Sequence, residues 1–143
     1  MANLASTYWN QGRWGEAEQL EVRVMETSKT VLGAEHPNTL TSMANLASTY
    51  RNQGRWGEAE QLEVRVMETS KTVLGAEHPN TLTSMANLAS TYSKQKRWIE
   101  AEELLEVAVK GHRRVFGPSH PDTETVVSNL YYVQQAREQE VVG

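Results

Sequence analysis

The sequence predicts an all-α fold, an array of stacked antiparallel helix pairs with about seven helices in 143 residues. Three observations predict it. Met43 to Ser84 matches Met1 to Ser42 at every position but one, where Trp9 faces Arg51. A looser third copy runs from Met85 to Val126, and a fourth begins at Val127 and ends after one helix. Within the copies, apolar residues recur at three- and four-residue steps, the spacing of a helix face. A fixed 42-residue period marks units that bury their apolar faces against one another rather than in one central cluster. The chain is therefore expected to be one repeat domain over 1–143. It divides into 1–42, 43–84, 85–126 and a capping segment, 127–143, whose helix starts near residue 122.

Each repeat holds two helices. Helix A follows His-Pro, as at His36-Pro37 and His78-Pro79. Proline suits the first helical turn because its missing N–H would have no partner there. Asn38 and Thr39 are expected to satisfy the remaining free donors. Leu40, Met43, Leu46, Ala47 and Tyr50 form one apolar stripe, and Gly54 ends the helix in the left-handed conformation. Helix B runs from near Trp56 to Leu74. Its stripe is Ala59, Leu62, Val66 and Val73, with Val64, Met67 and Leu74 on an adjoining face. Gly75 closes it, and the short linker to His78 makes successive helices antiparallel neighbours.

The third copy keeps this frame through Leu88, Ala89, Tyr92, Trp98, Ala101, Leu104 and Val115. Lys96 replaces the glycine that ends helix A, at a cost of roughly 1 kcal/mol if the left-handed geometry persists. Leu105 replaces Glu63. The last helix, about Asp122 to Gln139, keeps Val127 and Leu130 and then turns polar, as a terminal cap requires. Tyr131 stands in it where other copies have Ala47 and Ala89. At the other end Met1 aligns with Met43, inside helix A. The first helix is thus expected to be truncated and the chain to be a piece of a longer array. Its open face, Met1, Leu4, Ala5 and Tyr8, predicts self-association, since exposed apolar patches drive it.

Composition excludes several classes. A net charge of −4 disfavours nucleic acid as a partner. The absence of cysteine excludes disulfide and thiolate chemistry. No apolar run reaches the ~18 residues of a membrane span, and the start has no signal-peptide pattern. A cytoplasmic location is expected. No nucleophile, base and orienting group can be assembled, so the chain reads as a non-enzyme with no cofactor. His36, His78 and His120 recur one repeat apart, too far to converge on a metal, and read as junction side chains bonding neighbouring backbone. His112, beside Arg113 and Arg114, reads as a surface residue. Trp14, Trp56 and Trp98, opening each helix B, read as aromatics wedged between repeats.

Leu46, Ala47, Tyr50, Gly54, Trp56 and Ala59 together resemble the tetratricopeptide repeat. The 42-residue length and the Leu-Gly-x-x-His-Pro-x-Thr junction resemble the kinesin light chain variant. They also resemble the C-terminal repeats of fungal NOD-like receptors with NACHT or NB-ARC domains. The resemblance implies a right-handed α-solenoid in which helix A faces line a concave groove for a peptide or partner protein. Ala47 and Ala59 would be the small residues that let helices A and B approach. Glu21 and Glu63 depart from the family, which often places an apolar residue there.

By that geometry Asn3, Asn45, Asn87 and Asn129 point into the groove. An amide both donates and accepts, so it can hold a peptide backbone, or equally tie adjacent helices together. Thr41, Ser48, Arg51, Asn52, Ser90 and Lys94 complete the predicted groove, with Ala44, Ala86 and Ser93 beside them. Arg51 and Lys94 would meet acidic groups of the partner. The position of Trp9, Arg51 and Ser93 would lie in the groove too. The expected function is a non-catalytic interaction scaffold with no enzyme chemistry of its own, serving as the sensor or regulatory array of a larger receptor. The alternative is an excised or engineered array that mainly self-associates and has no ligand.

Overall fold

The computed structural model describes residues 14–142, which form six helices and no strand. They are α1 (Trp14–Val31), α2 (Pro37–Asn52), α3 (Trp56–Val73), α4 (Pro79–Lys94), α5 (Trp98–Val115) and α6 (Pro121–Val142). The expected first helix, with Asn3, Trp9 and the open N-terminal face, lies outside the described residues. The last helix runs three residues beyond the expected Gln139. The chain divides into two compact units, 1–69 and 70–143, with the division falling inside α3.

The junctions explain where helices start and stop. At the start of α2 the cap is the histidine rather than Asn38 or Thr39. Nδ1 of His36 accepts from the Asn38 N–H at 3.1 Å. The Thr39 hydroxyl instead donates backwards to the Gly33 carbonyl at 2.8 Å, because its side chain is buried under the turn. His78 and His120 repeat the cap at 3.1 Å on Asn80 and Asp122. Each Nδ1 is thus committed to backbone. Among the described residues no three potential metal ligands gather.

Helix A closes as predicted. Gly54 has φ 77°, and the Arg55 N–H reaches back to the Tyr50 carbonyl at 2.8 Å. Lys96 keeps this geometry without being glycine: φ is 61°, and Arg97 reaches Tyr92 at 2.9 Å. Lys96→Gly is therefore expected to stabilise the second unit by about 1 kcal/mol, read from a urea titration. No gain would mean that the side chain makes good the strain. The arginine after each turn lies over the helix A tyrosine, Arg55 at 4.4 Å from the Tyr50 ring and Arg97 at 4.5 Å from Tyr92. Arg55 also pairs with Glu58 and, at 2.6 Å, with Glu18.

In the first unit α1 packs on α2 around Met25, Leu40, Met43, Leu46 and Val66. Ala47 and Ala59 are fully buried, as their expected role at the helix crossing requires. In the second unit α5 packs on both α4 and α6 around Ala89, Ala101, Leu105 and Val133. Val73 and Val115, assigned to the helix B stripes, are instead exposed, since they sit in the last turn. The tryptophans at 56 and 98 are half-buried, Trp98 against the second core.

His112 is also corrected: it is buried, not on the surface. Its Nδ1 lies 2.7 Å from the Ala108 carbonyl. Its ring meets Phe116 at 5.6 Å, and Phe116 meets His120 at 4.7 Å. The preceding Gly111 allows the close approach, for a Cβ there would stand 2.4 Å from Leu82 Cδ2.

A candidate peptide-binding cleft

Thr41, Asn45, Ser48 and Asn52 fall at four- and three-residue steps along α2 and so share one face. Thr41, Asn45 and Asn52 are exposed, and Ser48 is half-buried. The hydroxyl of Thr41 donates to the Pro37 carbonyl at 3.1 Å, and the Asn52 amide donates to Ser48 at 3.0 Å. Arg51 is less open than expected. Its guanidinium sits 3.7 Å from Glu63, whose side chain is only 6% exposed. Arg51 thus balances a buried carboxylate within its own repeat, which gives the one variable position of the first two copies a packing role.

The family departure at Glu21 resolves in the same way. This half-buried carboxylate accepts a hydrogen bond from Thr49 on α2. Burial pushes its pKa above the ordinary 4.5, and the Thr49 donor opposes that shift.

In the second unit the predicted residues converge. A cleft of about 290 Å3 lies between α4 and α6, with α5 beneath. Ser90 and Lys94 line one wall with Ala86 and Ser93, and Asn129 lines the other. Asn87 is half-buried beside this cleft but does not line it. Lys94 and Asn129 are exposed. The floor is Leu105 and Val133, both buried.

Tyr132 completes the Asn129 wall and was not anticipated. It occupies the place of Ser48 and Ser90, so the repeat alignment held the signal. Tyr132 stands 63% exposed, edge-on to Trp98 at 6.3 Å. The Trp98 indole N–H donates in turn to Glu140, near the end of α6. The cleft therefore offers an apolar floor, an aromatic wall, hydroxyl and amide groups, and one lysine. It can hold an apolar side chain while pairing polar groups at its rim.

Family models named tetratricopeptide repeat match residues 1–72 and 81–122. The chain belongs to the tetratricopeptide repeat family. No curated protein matches it. Its tetratricopeptide fold is similar to crystal structures of nearly identical TPR-like repeats from Podospora anserina, named as kinesin light chain repeats. There the identity is 32%, the TM-score 0.88, and the match covers 96% of this chain and 65% of that one. A point variant of the same repeats gives 31% identity and a TM-score of 0.89, with the same coverage. BtubC from P. vanneervenii shares the fold at TM-score 0.88 and 22% identity, covering 96% of this chain and 55% of that one. The chain thus spans under two thirds of the length of these relatives. Among its described residues no helix is long and apolar enough to cross a membrane.

Proposed function

We propose that this tetratricopeptide array is a protein-interaction scaffold that holds an extended peptide in the cleft between α4 and α6. The observation that carries the reading is the cleft itself, where Ser90, Lys94 and Asn129 surround an apolar floor. Asn129 would hold peptide backbone with both halves of its amide. Lys94 would meet an acidic group, and Tyr132 with Leu105 and Val133 would receive an apolar side chain. Asn45, exposed on α2, supports an equivalent backbone contact in the first unit. Within a longer protein, the array would form the sensor or regulatory end of a receptor. A cytoplasmic setting suits a chain without cysteine.

Selection from a displayed random-peptide library, followed by fluorescence anisotropy, tests the cleft. Asn129→Ala, Lys94→Glu and Tyr132→Ala are each expected to weaken a selected peptide about tenfold or more, with helical circular dichroism unchanged. Selected peptides that bind all three variants as tightly as the original chain would place the binding surface elsewhere.

A further inference from the structure

Glu21 and Leu105 stand at the same place in the repeat, two copies apart, and so do Thr49 and Val133. In the first unit the Thr49 hydroxyl donates to the Glu21 carboxylate between α1 and α2. In the second unit Leu105 and Val133, both almost fully buried, share one apolar cluster between α5 and α6. Both members of a contacting pair have changed together, from hydrogen-bonded to apolar. The two kinds of pair are not interchangeable. A valine set against a half-buried carboxylate offers no donor and leaves it desolvated. A threonine set against leucine costs less, because its hydroxyl can turn to the carbonyl four residues back, as Thr91 does to Asn87 at 3.3 Å.

We propose that these pairs act as a docking key that fixes the register of α6: the face carrying Leu105 accepts α6, and the face carrying Glu21 refuses it. The need for a key follows from the repeats. Copy 3 keeps the repeat frame of copy 1, so the helix B surface of α1 would otherwise be an equal host for α6. Docking of α6 on α1 would loop out the intervening copies and shorten the array. The orphaned carboxylate lowers the population of such slipped states roughly 10- to 100-fold, the ratio set by one unsatisfied buried polar group.

The full chain has no cysteine, so introduced pairs report docking cleanly. Arg137 on α6 lies 3.4 Å from Glu102 on α5, and Glu102 corresponds to Glu18 on α1. A short thiol crosslinker between Arg137→Cys and Glu102→Cys reads the native register. The same reagent between Arg137→Cys and Glu18→Cys reads the slipped one. Adding Glu21→Leu is expected to raise the slipped intramolecular crosslink at least tenfold. Equal slipped yields with and without the leucine would overturn the key. A reverse experiment guards against a general folding defect. Leu105→Glu is expected to abolish most of the native crosslink, and adding Val133→Thr to restore more than half of it. No restoration by the threonine would overturn the pairing.

Discussion

Glu21→Leu combined with Thr49→Val is expected to stabilise the first unit by about 1–2 kcal/mol at pH 7. It replaces a half-buried hydrogen-bonded carboxylate by the apolar pair that the chain already uses at Leu105 and Val133. Thr49→Val alone is expected to cost about 1–3 kcal/mol, because the carboxylate keeps its burial and loses its donor. The two changes are therefore strongly non-additive, which a double-mutant cycle in urea measures. Their pH dependence has a fixed sign. The folded pKa of Glu21 is raised, first by burial, so the folded state favours the neutral acid. That contribution is complete below the ordinary value of 4.5 and is lost as pH rises through the raised folded value. The double variant should lose this slope between acid and neutral pH. An unchanged pH profile, or a double variant weaker than Thr49→Val alone, would refute the account.

Ala89→Tyr is expected to unfold most of the second unit, with a cost of about 3 kcal/mol or more. The reciprocal change, Tyr131→Ala, is expected to stay within ~0.5 kcal/mol. The two residues are equivalent in the repeat, yet Ala89 is 1% exposed and Tyr131 is 64% exposed. Ala89 shares its core cluster with Ala101, where two small side chains let α4 and α5 approach closely. The phenol of Tyr131 meets no such constraint. Thermal denaturation of the two variants distinguishes them, and comparable losses would show that Tyr131 is packed as tightly as Ala89.

The cleft was partly legible in advance. Ala86, Ser90, Ser93, Lys94 and Asn129 followed from the repeat alignment, because positions 42 residues apart keep the same local frame. Tyr132, Leu105 and Val133 did not. Tyr132 became a wall because Trp98 supports it, and Leu105 became a floor because α4 and α6 leave it at the base of the space between them. The sequence spacing of Arg51 does not show that the buried carboxylate of Glu63 lies beside it.

What the sequence by itself determined is the local and periodic part of this protein. Proline after histidine starts helix A, a left-handed residue at Gly54 or Lys96 stops it, and three- and four-residue spacing chooses the face it buries. Each depends on neighbours within a few positions. Only the tertiary structure decided that His112 is buried despite Arg113 and Arg114, that Thr49 meets Glu21, and that the last helix carries an exposed aromatic wall. Those outcomes join side chains from different helices. They depend on how closely two helices cross, which small residues such as Ala89, Ala101 and Gly111 set by letting the backbones approach.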